Sequence, residues 1–149
     1  MMVKKSVLKI GTITKVKPSK YELEPEFMEP KRTYSFVVKI NNVKFDYSPY
    51  VRQCHLPTWL VQQGKFVSGG CITFVDTVYP NIAKQLMKDF SNARKIDIIV
   101  RYLDLEGNSI ETWNMIGTVS SINFGMYSYS DNKVKTCDLG FQIESATLT

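Results

Sequence analysis

Residues 80–93 read PNIAKQLMKDFSNA. Ile82, Leu86, Phe90 and Ala93 recur at helical spacing, with Ala83 and Met87 beside them. Lys84, Gln85, Lys88, Asp89 and Asn92 take the other face. One apolar stripe predicts one amphipathic helix of about three to four turns. Pro80 suits the first turn, where an N–H has no partner within the helix. Asn92, Arg94 and Lys95 suit the last, where carbonyls point outward. Nearly everything else in the chain carries strand character, so the helix must bury its stripe on a sheet. The expected fold is mainly β, with two packed antiparallel sheets, sandwich- or barrel-like, and a flanking helix over about residues 80–93.

Outward from the helix, the strands are read from period-two alternation. On the C-terminal side, Ile96, Ile98, Val100 and Tyr102 alternate with Asp97 and Arg101, and Ile99 and Leu103 suggest cover on both faces. Asp104–Asn108 is a turn with Gly107 free to take positive φ. Strand character resumes at Ile110, runs past Gly117, which marks a bend or bulge, and ends near residue 126. A polar and aromatic turn at 126–133 leads to a last strand with Cys137, Leu139, Phe141 and Ile143 on one face. On the N-terminal side, Cys71–Val78 is a β-branched strand, and residues 50–54 extend after Pro49. Residues 56–65 are irregular. Tyr34–Ile40 and Val43–Tyr47 flank Asn41-Asn42, the pattern of a tight hairpin. Residues 6–17 alternate loosely, as a Lys-guarded edge strand would. Residues 18–32 carry three prolines and four glutamates and form a connector. The expected organisation is an N-terminal arm and connector at 1–32 and a β domain at 33–149.

Composition bounds function more firmly than it identifies it. The 149 residues suffice for one domain with a real core. No apolar run approaches the roughly 18 residues that span a membrane as a helix, and the Lys-interrupted N-terminus lacks the apolar core of a signal peptide. A cytoplasmic site of synthesis and no membrane partner are the expectations. The net charge of +5 is uneven: residues 1–20 carry +6, residues 21–30 carry −4 and the rest +3.

Catalytic signals are missing. Cys54 and His55 are adjacent, and neighbours in an extended chain point to opposite faces, so they do not form a nucleophile–base pair. Cys54, Cys71 and Cys137 show no C-x-x-C spacing and read as small apolar residues. Gly69-Gly70 precedes a strand and lacks the Lys-Ser/Thr of a phosphate-binding loop. Asp76 reads as a local hydrogen-bond acceptor ahead of the helix. The expectation is a non-enzyme with no catalytic residues, metal or cofactor. The groups left for function are surface ones: Lys4, Lys5 and Lys9 of the arm, Tyr21 and Phe27 of the connector, and the aromatics Tyr47, Tyr50, Trp59, Tyr127 and Tyr129. Tyrosine and tryptophan bury large area at low entropic cost, which suits interfaces.

The order of elements resembles one family. Strand FVVKI, strand VKFDY, a loop with Leu56-Pro57, strand CITFVDTV, helix PNIAKQLMKDF, strand IDIIVRYLDLEGN, strand SIETWNMIGTVSSI, the segment MYSYSDN and terminal strand KTCDLGFQIE follow one another. This succession is similar to the tail tube proteins of contractile-tailed bacteriophages, whose fold recurs in contractile injection systems. The resemblance covers about residues 34–146. It implies a structural virion protein, made in the host cytoplasm, that assembles into hexameric rings stacked as a tail tube. Its partners would be further copies, sheath and baseplate proteins, with genomic DNA passing through the lumen without sequence-specific binding. Only thirteen residues separate Pro57 from Cys71, and the arm is Lys-rich. Both features leave open a tube-initiator or baseplate-proximal tube protein. A β-rich nucleic-acid-binding module acting through the basic arm is the alternative of a different class.

Overall fold

Alternating burial along Lys95–Leu103, with Ile96, Ile98 and Val100 inward, requires a sheet with one face on the core. The structure, a computed structural model, describes residues 30–67 and 69–149. Its strands are β1 (Phe36–Ile40), β2 (Val51–Cys54), β3 (Thr58–Leu60), β4 (Lys65–Val67), β5 (Gly69–Val75), β6 (Lys95–Leu103), β7 (Ser109–Asn123) and β8 (Thr136–Leu148). The helix α1 (Ile82–Phe90) lies between β5 and β6 in the chain. Six strands form one antiparallel sheet in the order β1-β6-β7-β8-β5-β2, and β3 and β4 form a small second sheet. Among the described residues the fold is mainly β with one flanking α-helix. The chain divides into two compact units, Met1–Tyr34 and Ser35–Thr149, and the fold described is that of the second. The strand expected at 6–17 and nearly all of the 18–32 connector lie outside the described residues.

The helix stripe goes where its period sends it. Ile82, Leu86 and Phe90 are buried in one cluster with Val38 and Ile40 of β1, Ile72 and Phe74 of β5, Ile96 and Ile98 of β6, Met115 of β7, and Leu139 and Phe141 of β8. Burying each such side chain contributes on the order of 1.5–3 kcal/mol. Asn81 is the N-cap, its side chain accepting from Lys84 N–H at 3.0 Å. Pro80 therefore stands one residue before the cap and not in the first turn. A capping oxygen satisfies an orphan N–H, which a proline leaves unused. Asp76 adds a second acceptor, taking the Ala83 N–H at 3.3 Å.

Two local expectations are overturned. The hairpin through Asn41-Asn42 does not form: β1 pairs with β6, a strand that begins 55 positions after β1 ends, and residues 43–47 make no strand. Asn42 explains the outcome. Its Nδ2 donates to Lys95 O at 2.6 Å and its Oδ1 accepts from Asp97 N at 3.2 Å, while Asn41 N donates to Asp97 O. The turn amides thus lock onto β6 instead of closing a local ladder. Conversely, the stretch 56–65 is less irregular than its proline and glycine suggest. Thr58–Leu60 pairs with Lys65–Val67, turning through Gly64 at φ 62°. Gly107 takes φ 87° in the β6–β7 turn, and the β7–β8 register shifts between Ile116 and Gly117, where a bulge is expected.

Candidate assembly surface

Among the described residues the six-stranded sheet is not closed on itself, since β1 and β2 are terminal in its order. An edge strand offers unpaired backbone groups to another chain. Reciprocal bonding fixes which groups these are. Asn41 N donates to Asp97 O and Leu103 N to Ser35 O, so Ser35, Val37, Lys39 and Asn41 turn their backbone toward β6. The N–H and C=O of Phe36, Val38 and Ile40 therefore face outward from β1. On the other edge, His55 N donates to Cys71 O, which leaves Cys54 facing outward from β2.

A third edge lies inside the sheet. β5 pairs with β8 from Val75↔Thr136 to Gly69↔Gln142 and stops there. Continued in the same register, Val67, Phe66 and Lys65 would face Glu144, Ser145 and Ala146. Instead they pair with β3. The ladder's pairing ends there while β4 stays beside β8, and a cleft of about 410 Å³ is lined by Trp59, Phe66, Val67 and residues 142–146. Thr149 and Thr112 exchange both backbone bonds, so Ser145 and Thr147 also face β7, while Ala146 and Leu148 turn theirs away from β7. Trp59 meets Phe66 edge-on at 4.9 Å, and Phe66 meets Trp113 of β7 at 5.8 Å, which ties the small sheet to the large one. The sequence carries no local signal for this cleft, because it arises from where a ladder ends.

The outward face of the large sheet carries both apolar side chains, Val37 and Ile116, and paired polar ones. Lys95 pairs with Glu144, and Thr118 Oγ1 donates to the same carboxylate at 2.5 Å. These two donors hold the Glu144 carboxyl below its ordinary range. Thr73 donates to Asp138 at 2.7 Å across β5–β8. At one end of the sheet, Lys135 Nζ lies 2.5 Å from Asp76 and 5.2 Å from the Tyr127 ring centroid. Burial, the largest single influence, opposes the Lys135 charge, but the Asp76 hydrogen bond together with the charges of Cys137, Asp76 and Tyr127 outweighs it and raises the ammonium's pKa. The exposed Val78, Tyr79, Met126, Tyr127 and Tyr129 lie in the two loops that this ion pair ties together.

The aromatics singled out in the sequence separate cleanly. Tyr47 is a correction: it is 1% exposed and belongs to the core, against Phe45 (4.7 Å) and Phe74 (5.3 Å). Its hydroxyl donates to Asp89 of α1 at 2.6 Å. Tyr50 is half-buried and stacks on Phe45 at 5.9 Å. Trp59 lines the cleft, and Tyr127 and Tyr129 are exposed on the β7–β8 loop. Lys4, Lys5, Lys9, Tyr21 and Phe27 lie outside the described residues. Burial, with Cys71 nearby, pushes the Cys54 thiol up to about 12, which keeps it protonated and a poor nucleophile. Among the described residues no three His, Cys, Asp or Glu side chains group as metal ligands, and no helix is long and apolar enough to cross a membrane.

No protein-family model and no curated protein matches the sequence. Solved structures do match. A chain of the PVC sheath–tube complex of an extracellular contractile injection system, in the extended state, superposes with TM-score 0.57 at 12% identity, over 80% of this chain and 91% of that one. The fold is one found in contractile injection systems. A chain of the six-fold symmetrised baseplate of the anti-feeding prophage gives TM-score 0.53 at 9% identity, over 81% and 96%. A chain of that prophage's tube-terminating cap gives 0.54 at 14% identity, over 100% and 99%.

Proposed function

We propose that this protein is a structural subunit of the tail tube of a contractile machine. Copies join edge to edge into hexameric rings, and the rings stack into a conduit. The observation that carries the reading is an antiparallel sheet whose ends, β1 and β2, are open among the described residues, in a fold shared with chains of sheath–tube, baseplate and cap assemblies. Joining β1 of one copy to β2 of the next is a head-to-tail contact, which closes into a ring when the rotation closes. Closure removes the edges that would otherwise aggregate. The work is done by geometry and needs no catalytic group. The partners are further copies, sheath and baseplate proteins, with DNA as passive cargo. The particle's tail is the location, and residues 1–32 serve as an arm ahead of the β domain. Electron microscopy of the purified full chain tests this, with rings of six or stacked tubes expected. A protein that stays monomeric at high concentration, with or without sheath and baseplate partners, overturns it.

A second reading places the subunit at a tube end, as initiator or terminator. The match with the tube-terminating cap spans both chains almost completely, whereas the sheath–tube match leaves a fifth of this chain uncovered. An end subunit forms single rings that do not stack on one another, and a main subunit forms tubes.

A further inference from the structure

We infer that rings stack through the unlike ends of the strands, the Tyr129 end of one copy seating on the Val61 end of a copy in the next ring. The inference rests on the edge-to-edge assembly reading and names the surface that carries the stack. In a ring closed through β1 and β2, sheet faces point radially and strand ends point along the axis, with the tilt that closure imposes. The ends are therefore what one ring offers the next.

Exposed apolar side chains of the β domain collect at those ends. β5 stops at Val75, opposite Thr136, and β7 stops at Asn123, so the loops 76–81 and 124–135 share one end. Val78, Tyr79, Met126, Tyr127 and Tyr129 stand there, each at least 70% exposed. At the other end β6 turns into β7, β8 finishes opposite Trp113, and the β3–β4 hairpin lies beside β8. Val61 in the hairpin's turn, Leu105 in the β6–β7 turn, Ile110 and Leu148 are exposed there, with a half-exposed Trp59. Apolar patches of this kind mark contact surfaces.

Both patches are held in place before any contact forms. Lys135 ties loop 124–135 to Asp76 and lies over the Tyr127 ring, Ser128 and Ser130 share a hydrogen bond at 2.9 Å, and Asp131 accepts from the Lys133 N–H at 2.8 Å. At the other end Phe66, in contact with both Trp59 and Trp113, fixes the hairpin to β7. A preordered surface loses less entropy on docking. Shape favours unlike ends over like ones. Tyr127 and Tyr129 project from a loop, whereas the opposite end holds the cleft beside Trp59 and Phe66, which admits side chains. Charge fits the same pairing. Lys65 lines the cleft and Glu106 is exposed on the β6–β7 turn, while Asp131 and Lys133 follow Tyr129 in its loop. None of these four is in an ion pair among the described residues, so each end brings one cation and one anion to the other.

Electron microscopy and sedimentation of full-length variants test the inference. Tyr127→Ser with Tyr129→Ser spoils the first end, and Val61→Ser with Leu105→Ser the second. All four side chains are over 80% exposed, so the urea midpoint should stay at the wild-type value. Each variant alone should form single rings, with about tenfold fewer stacks than wild type. Each keeps one good end, so the two variants mixed should give paired rings and nothing longer. Paired rings from one variant alone mean that like ends meet, and overturn the inference. Full-length stacks from either variant, a mixture that stays as single rings, or a folded variant that no longer forms rings overturn it too. A second probe leaves every apolar contact in place. Asp131→Lys makes the first end basic and Lys65→Glu makes the second acidic, so the double variant should stack severalfold better at low salt. Weaker stacking by that variant means that like ends meet. Wild-type rings that never stack overturn the inference and leave the edge-to-edge reading standing. A wild-type chain that forms no rings overturns the assembly reading itself.

Discussion

Tyr47 shows how one side chain serves both packing and pinning. Its ring touches Phe45, Phe74 and Phe90, and its hydroxyl shares Asp89 with Gln85 of the helix. Tyr47→Phe keeps the ring contacts and loses the bond, so urea unfolding should show a loss of about 1–2 kcal/mol. The same residue sets part of the alkaline limit. Burial, then Asp89, raises the Tyr47 hydroxyl above its ordinary 10.0. Burial raises Cys54 from 9.0 to about 12, and Lys135 is raised above 10.5. In each case the folded chain keeps a proton that the unfolded chain gives up. Stability from these groups is therefore full below about pH 9 and lost as pH climbs toward 12, at up to about 1.4 kcal/mol per pH unit for each group in its window. Tyr47→Phe should make this decline shallower above pH 10. An unchanged slope would show that the tyrosine proton is not part of it. Gly117 is a second single-residue control point. A Cβ there would lie 2.3 Å from the backbone O of Gln142, so Gly117→Ala must push β7 from β8 at the bulge. A loss of about 1–3 kcal/mol by thermal or urea unfolding is expected.

At the scale of elements, legibility followed the range of the forces involved. The helix was readable from Ile82, Leu86 and Phe90 because its period is local and its stripe has one place to go. β6, β7 and β8 were readable because their alternation is long. The Asn41-Asn42 hairpin misled because turn propensity is also local, while the winning contacts are not: Asn42 binds Lys95 and Asp97 from more than fifty positions away. β3 and β4 were missed because three-residue strands carry almost no period, and Tyr47 was misassigned because a tyrosine's burial depends on which element covers it. Asn42→Ala should test the registering role. It leaves the Lys95 carbonyl and Asp97 N–H without their amide partner, and about 1–2 kcal/mol of stability should go with them. If β1 were held by its own pairing alone, the substitution would cost only a few tenths of that.

For the whole molecule, the decisive property is that, among the described residues, its sheet ends in two open strands that carry exposed side chains. Val37 on β1 is 37% exposed, and Gln53 on β2 is also exposed; both lie on the outward face of the sheet. Neither supports the core, so charge placed there tests assembly without testing folding. If β1 meets β2 of the next copy, Val37→Lys with Gln53→Lys sets like charges across every junction, beside Lys39 and Arg52. Like charges on facing strands cost roughly 0.2–1 kcal/mol per pair, and a closed ring multiplies that by its number of junctions. Sedimentation should then show the ring–monomer balance moved toward monomer, with the urea midpoint of the monomer unchanged. Val37→Lys with Gln53→Glu makes the charges opposite and should return the rings. Salt should narrow the gap between the two variants, because exposed charges are screened over about 8–10 Å at physiological ionic strength. Rings that form equally well with either pair would mean that these two edges do not meet. The interface would then have to be sought at the exposed loops holding Tyr79, Tyr127 and Tyr129.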